Sequence, residues 1–157
     1  AQFQKDLNSV IDYLKKERTS LPKIHLYGIG IGAGLSIAVA ANRNLGTVIA
    51  DSPYSTLELA KQRIKEARSI EMLIPLGYNK NEIEPKYALE TKGAQMNGVL
   101  LIVGDKDNAC PVKDIKELAK IRPNITSIYV VKNSDGANNL TVNKEKYLEE
   151  IKKFLKL

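Results

Sequence analysis

Three glycines at alternate positions, Gly28, Gly30 and Gly32, follow a short apolar run and precede a run of small residues. The apolar run, Ile24–Tyr27, has the composition of a buried strand. Residues 32–43, rich in Ala, Gly and Ile, have that of a helix covered on most sides. A chain that turns sharply from a strand into a helix needs glycine where its backbone is strained or closely packed. The pattern therefore predicts a tight strand–turn–helix unit.

The rest of the chain continues this alternation of strands and helices. Further strands are predicted at Thr47–Ala50, Val99–Val103 and Ser127–Val131. Helices are predicted over residues 3–14, 56–72, 112–121 and 144–155, with residues 73–97 irregular or broken helix. Continuous apolar strands that alternate with helices indicate a parallel sheet covered on both faces. We therefore predict a single three-layer α/β/α domain, over residues 1–157, with a mainly parallel sheet of about four strands.

Polar loops follow each predicted strand, at the edge of the sheet where parallel α/β folds place their chemistry. After the third strand comes Gly104–Pro111, a sharp turn that carries Asp105 and Asp107 near its tip. After the fourth comes Asn133–Leu140, about thirty residues further on. The second predicted strand is followed by residues 51–55, which are Asp-Ser-Pro-Tyr-Ser. These loops and the glycine turn are expected to meet at one edge.

In this order and spacing, the four segments resemble the α/β-hydrolase superfamily, and most closely its esterase and peptidase-like members. The resemblance covers nearly the whole chain, but it corresponds only to about the C-terminal half of the family's fold. It implies that the turn Gly28–Gly32 is a nucleophile elbow, in which a Gly-x-Ser-x-Gly turn lifts the serine above the sheet. It also implies an acid on the Gly104–Pro111 loop and a histidine on the Asn133–Leu140 loop.

Carried over position by position, the resemblance leaves a single member of the catalytic triad in place. Gly30 stands at the nucleophile position and Ala137 at the histidine position, so both reactive side chains are lost. Asp107 retains the acid. The backbone N–H of Ile31 corresponds to half of an oxyanion hole, whose other half comes from the family's N-terminal half, which this chain lacks. Restoring both side chains is therefore expected to recover little turnover.

Other reactive side chains have structural interpretations as well as chemical ones. The only histidine, His25, falls within the first predicted strand, and we expect a structural role for it. The single Cys110 is expected to be an ordinary loop cysteine, since no histidine is near it in sequence. Ser52 and Ser55 are expected to cap the next helix, Ser55 in a capping box with Glu58. Ser36 is expected to face helix packing.

Cofactor and metal sites receive less support from the sequence. Gly28-x-Gly30-x-x-Ala33 also fits a dinucleotide-binding fingerprint, with Asp51 near the place of the ribose-binding acid. That fold usually begins with the glycine strand, however, whereas a helix precedes it here. Asp105 and Asp107 are two carboxylates without a third partner, and a turn-stabilising role suits them better than a cation site. We expect neither a cofactor nor a metal.

Composition excludes several classes of function. Residues 1–72 carry 10 basic and 7 acidic groups and residues 73–157 carry 14 and 11, so the net charge of +6 divides into +3 for each half. The chain has no basic tract of the kind that would indicate nucleic-acid binding. No run approaches the ~18 apolar residues of a membrane span. The chain begins at Ala1 inside a predicted helix, so we expect part of a longer protein. The default location is the cytoplasm, with membrane tethering in a longer parent as the alternative.

These features together predict a degenerate, non-catalytic α/β-hydrolase-like domain, which has a binding or scaffolding role or is the remnant half of a serine hydrolase, with a small-molecule ligand as one partner. An active ester or amide hydrolase with reassigned residues and a dinucleotide-binding domain are the alternatives. The strand Ile24–Tyr27 is expected to have one unpaired edge, with only Lys23 as a charge beside it. Since such an edge is a template for pairing with another chain, we predict a homodimer, or a complex with a separate N-terminal segment, through this strand.

Overall fold

The computed structural model describes residues 2–17 and 19–157, so the expectation at Ala1 lies outside the described residues. Its centre is a parallel sheet in which the strands follow one another in chain order. The strands are β1 (Leu26–Ile29), β2 (Thr47–Asp51), β3 (Gly98–Gly104) and β4 (Thr126–Val131). The predicted α/β fold with an all-parallel sheet of four strands is confirmed.

Helices connect the strands and cover both faces of the sheet. They are α1 (Gln2–Lys16), α2 (Ile31–Arg43), α3 (Leu57–Arg68), α4 (Lys80–Ile83), α5 (Pro85–Lys92), α6 (Val112–Ala119), α7 (Asn139–Val142) and α8 (Lys144–Leu155). Two 3₁₀ turns, at Leu21–Lys23 and Gly93–Gln95, complete the order. The segment predicted to be broken helix thus contains α4, α5 and the second 3₁₀ turn.

Two hydrophobic clusters on opposite faces of the sheet make the domain three-layered. On one face, α2 packs over the sheet together with α1, α5 and α6. On the other face, Tyr147 and Phe154 of α8 pack against Ile49, Leu100 and Ile102. Every residue of β3 is buried, because this strand lies inside the sheet and has helices on both faces. That position explains its unbroken apolar sequence.

The first strand is displaced from its predicted position by two residues. It runs from Leu26 to Ile29, because the backbone stays paired with β2 through Gly28, opposite Ala50, and on to Ile29. His25 therefore precedes the strand. The helix predicted over residues 56–72 also ends early, at Arg68, where Ser69 adopts a left-handed conformation (φ 54°) that stops the helix.

β1 occupies an edge of the sheet. Within the described ranges it pairs with β2 alone, while β4 forms the opposite edge. The expected position of the first strand at an edge is thus observed, with the boundaries given above. In the part of the chain that is described, no helix is long and apolar enough to cross a membrane.

Candidate functional site

The glycine turn has the geometry of a strained strand-to-helix elbow. Gly30 has φ 58° and ψ −119°, a conformation that side-chain-bearing residues rarely adopt. Its N–H donates to the carbonyl of Asp51 (2.8 Å), which ties the turn to the end of β2. Gly28 is required by close approach, since an added Cβ would lie 2.4 Å from the carbonyl oxygen of Gly32. An added Cβ at Gly30 would meet nothing within 4 Å. Position 30 therefore has room for a side chain that the sequence does not supply.

A cavity of about 310 Å³ lies where the carboxyl ends of the four strands meet. Its lining includes Gly30 and Ile31 after β1, Asp107 after β3 and Ala137 after β4. The four positions that the resemblance selected thus contribute to one cavity. Their proposed chemical roles stay predictions. Ile31 opens α2, so its N–H belongs to the first turn of that helix, where N–H groups have no intrahelical acceptor.

Asp107 is held by its own loop and faces the loop after β4. One carboxylate oxygen, Oδ1, accepts hydrogen bonds from the N–H groups of Ala109 (2.9 Å) and Cys110 (2.8 Å). The other, Oδ2, points at Gly136, where an added Cβ would lie only 1.9 Å away. Ala137 is the next residue and is exposed. The expectation that Asp107 bonds to its own loop is confirmed, and Asp107 lies beside the loop that carries Ala137.

Helix α3 forms a wall of the cavity without contributing to the core. None of its residues, all of which are described, is buried. Leu59 and Ile64 line the cavity, and so does Arg63. The Arg63 guanidinium forms a two-point ion pair with Asp114 of α6, through Nε–Oδ2 (2.7 Å) and Nη2–Oδ1 (3.1 Å). The hydrogen bonds to the Asp114 carboxylate are the main cause of the raised pKa of Arg63. Since both side chains are only 17% and 15% exposed, this pair is a main link between α3 and the body of the domain.

Beneath the cavity lies a buried polar cluster around Asp51 that sequence reasoning missed. The carboxylate accepts hydrogen bonds from Tyr147 Oη (2.6 Å), Asn139 Nδ2 and Ser52 Oγ (3.2 Å). Burial raises the pKa of Asp51, and the three hydrogen bonds oppose that rise. Asn139 and Tyr147 are 88 and 96 positions away in sequence. No local pattern could have identified these partners.

This cluster corrects the dinucleotide interpretation. Asp51 is only 2% exposed, and its oxygens are engaged, so it is not available to a ribose. The Gly28-x-Gly30-x-x-Ala33 pattern reflects a strand–turn–helix unit that the dinucleotide-binding and α/β-hydrolase folds share.

Two serines do not have the predicted roles. Thr56, not Ser55, caps α3, because its Oγ1 accepts from the N–H of Leu59 (3.2 Å), so the Ser55–Glu58 capping box is wrong. Ser52 adopts φ 53°, bonds to Asp51 and lines the cavity instead of capping a helix. Ser36 is buried in α2, as expected.

His25 lies at the opposite end of the sheet from the cavity. It comes before β1, whereas the cavity lies beyond the carboxyl ends of the strands. Its Nδ1 accepts from the N–H of Thr47 (3.1 Å) and lies 2.7 Å from Thr47 Oγ1. These contacts join the entry of β1 to that of β2, which agrees with a structural role.

Potential metal ligands do not converge in the part of the chain that the structure covers. No group of three His, Cys, Asp or Glu side chains within residues 2–17 and 19–157 is arranged to hold a metal ion. Asp105 is exposed, and its neighbour Asp107 is committed to the loop N–H groups described above.

Cys110 lines the cavity but is buried, not an exposed loop residue. Its thiol donates to the carbonyl of Pro53 (3.2 Å), and burial raises its pKa. The thiolate is the reactive form, so we expect Cys110 to resist iodoacetamide in the folded protein and to react readily in urea. Mass spectrometry of both samples checks this. Complete alkylation without urea at neutral pH would contradict it.

Comparison with solved structures places this fold among esterases and peptidases. A Pyrococcus furiosus esterase is similar to 96% of the chain, with 19% identity and a TM-score of 0.67, and the match covers 60% of that esterase. A Pyrococcus horikoshii acylaminoacyl peptidase is similar to 98% of the chain, with 19% identity and a TM-score of 0.70, over 26% of its own length. The esterase domain of a Rhodothermus marinus protein is similar to 92%, with 16% identity and a TM-score of 0.66, over 62% of its length.

No protein-family model matches the sequence, and no curated protein matches it. The chain spans about 60% of the length of the Pyrococcus furiosus esterase. At identities below 20%, the likeness concerns the fold. Taken with the elbow at Gly30, it confirms the resemblance inferred from sequence: the chain has an α/β-hydrolase-like fold.

Proposed function

We propose that this domain is a non-catalytic member of its fold class, and that its cavity binds a small, mainly apolar ligand. The observation that carries the proposal is the elbow itself. Its backbone has the strained conformation and the open space of a nucleophile position, but Gly30 provides no nucleophile. Ala137 provides no base beside Asp107, although a hydroxyl nucleophile needs one.

The cavity lining supports a ligand of this type. At about 310 Å³, the cavity is at the lower end of the range of small-molecule sites. Apolar side chains from several elements line it, among them Leu59, Ile64 and Ile115. The charged residues of the lining are of both signs: Arg63 pairs with Asp114, and Arg68, Asp107 and Asp135 also line the cavity. A compact uncharged molecule, such as a short ester or amide, fits this environment better than a strongly charged one.

The proposal is tested with p-nitrophenyl butyrate as both substrate and ligand. We expect p-nitrophenyl butyrate to be hydrolysed no faster with the purified chain than in buffer alone. We also expect the chain to remain unlabelled by a fluorophosphonate. The same ester is expected to shift the amide NMR signals of Gly30, Ile31 and Asp107 in a saturable way. Ala60→Trp, which fills the cavity from α3, should abolish these shifts. Ala67→Trp, on the same helix but outside this cavity, should leave them unchanged.

A double variant tests the assignment of positions 30 and 137. Gly30→Ser combined with Ala137→His should be labelled by the fluorophosphonate at position 30, although turnover stays low. Saturable turnover or labelling of the unmodified chain would instead support the alternative of an active hydrolase with reassigned residues. Ser52, whose hydroxyl lines the cavity, would be the first position to examine. Absence of saturable shifts would overturn the ligand-binding role.

The proposal also includes a protein partner at the edge of β1, either a second copy of the chain or a separate N-terminal segment. The edge position of β1 supports such a contact, because an unpaired strand edge offers N–H and C=O groups to another chain.

A further inference from the structure

One oxygen of the Asp107 carboxylate receives no hydrogen bond from the described part of the chain. Asp107 is only 7% exposed, and the N–H groups of Ala109 and Cys110 both donate to Oδ1. Within residues 2–17 and 19–157, the only fully buried side-chain polar atom without a hydrogen-bond partner is Thr126 Oγ1, so Oδ2 of Asp107 is not sealed off. A nearly buried carboxylate oxygen without a donor is unfavourable, and a ligand that donates to it removes that cost.

The approach to Oδ2 lies on the cavity side of Asp107, which lines the cavity. Gly136 closes another side, because an added Cβ at that residue would lie 1.9 Å from Oδ2. The same cavity is lined by the apolar side chains of Leu59, Ile64 and Ile115. All of these residues belong to loops and helices that follow β2, β3 and β4, so the arrangement does not involve the edge strand β1.

The charges around this part of the cavity favour a donor over an anion. Burial raises the pKa of the Cys110 thiol, and the nearby carboxylates of Asp107, Asp114 and Asp51 raise it further. Cys110 lines the same cavity, so a second anion is disfavoured there for the same reason. The Arg63 guanidinium pairs with Asp114, whereas no cation among the described residues pairs with Asp107. The hydrogen of a ligand N–H group is therefore favoured beside Asp107.

Building on the ligand-binding function proposed above, on which this step rests, we propose that Asp107 Oδ2 accepts a hydrogen bond from a neutral, mainly apolar ligand with a single N–H donor. An indole or pyrrole ring has this chemistry, and its apolar body suits the side chains of Leu59, Ile64 and Ile115. An ammonium group would bring three N–H donors to one free oxygen, and its charge costs more to bury. An ester can occupy the apolar part of the cavity, but it leaves Oδ2 without a donor.

The test is an amide NMR titration of the whole chain with indole and with 1-methylindole. The two probes are nearly equal in shape and apolar surface, but only indole has an N–H group. We expect indole to shift the signals of Ala109, Cys110 and Gly136 in a saturable way. 1-Methylindole should bind about tenfold more weakly or worse, since the hydrogen bond to a charged acceptor is lost. Equal affinities for the two probes would overturn the proposal.

Asp107→Asn tests the same hydrogen bond from the side of the protein. The amide oxygen of asparagine can still accept from Ala109 and Cys110, while its NH₂ group replaces Oδ2 and cannot accept. Indole should then bind about as weakly as 1-methylindole, whose own affinity should change little. Asp105→Asn, at an exposed position of the same loop, is the matched control and should preserve the preference for indole. An unchanged preference in Asp107→Asn would show that Asp107 is not the acceptor.

The probe pair also separates this proposal from the proposed function. Saturable binding of p-nitrophenyl butyrate together with equal affinities for indole and 1-methylindole would mean that the cavity binds apolar ligands but that Asp107 does not select an N–H donor. The ligand-binding function would then stand and the proposal would fall. Saturable binding of none of the three molecules would overturn both. The comparison of probes uses the unmodified chain, so it does not depend on the stability of any variant.

Discussion

Replacing Asp51 with alanine is expected to lower the free energy of unfolding by about 2–4 kcal/mol, because buried donors lose their acceptor at about 1–3 kcal/mol each. The donors are Tyr147 Oη and Asn139 Nδ2. Asp51 also joins three parts of the fold, namely the end of β2, the start of α7 and helix α8. Urea unfolding followed by circular dichroism measures the loss.

The control for this variant is Asp105→Ala, at the end of the neighbouring strand. Asp105 is exposed, so its removal should change stability by no more than about 0.5 kcal/mol. Equal effects of the two substitutions would mean that the Asp51 cluster does not stabilise the fold.

The Asp51 carboxyl should also make stability depend on pH. Burial raises its pKa in the folded state above the ordinary value of 3.8, so the folded protein binds this proton more tightly than the unfolded chain does. Its contribution to stability is therefore fully present below about pH 3.8 and is lost as the pH rises through the raised pKa. Asp51→Asn lacks this titration. The stability of the unmodified protein relative to Asp51→Asn should fall over the pH interval that begins at about pH 4 and extends through the raised pKa. A relative stability that rises over this interval would mean that the pKa is lowered instead.

Gly28→Ala is expected to be the most damaging small substitution in the elbow, with a loss of about 3 kcal/mol or more. The added methyl group would lie 2.4 Å from the carbonyl oxygen of Gly32 and 2.7 Å from the nitrogen of Ala33, and both are backbone atoms at the start of α2. Relief requires moving β1 away from α2, which would disturb the elbow and the cavity. The unfolding midpoint in urea measures the effect.

Gly32→Ala is the matched control, four residues further along the same turn. A methyl group at Gly32 meets nothing within 4 Å, and the position lies in the first turn of α2. Alanine favours a helix over glycine by up to about 1 kcal/mol, so this variant should be neutral or slightly more stable. A similar loss in both variants would show that close approach at Gly28 is not the cause.

Much of the fold was predictable because its elements carry local signals. The continuous apolar runs of β2, β3 and β4 predicted buried parallel strands, and α8 was predicted with its observed bounds. The predicted bounds of β1 lie two residues too early, because they end the strand where the glycines begin. A glycine in the middle of a strand keeps its hydrogen bonds when the neighbouring strand continues beside it, and Gly28 remains paired opposite Ala50.

The candidate site, too, was predictable from the sequence only in part. The order of loops along the chain was sufficient to predict that the four loops lie at one edge, since carboxyl ends of parallel strands must meet there. The choice of Gly30, Asp107 and Ala137 within those loops came from the resemblance to α/β-hydrolases. The sequence by itself therefore determined the arrangement of secondary structure, the glycine elbow and the absence of a reactive side chain at positions 30 and 137. Only the tertiary structure decided the burial of Asp51, the pairing of Arg63 with Asp114 and the position of Asp107 Oδ2 against Gly136. Those features depend on contacts between residues far apart in the chain, such as the 96 positions between Asp51 and Tyr147, over which sequence carries no periodic signal.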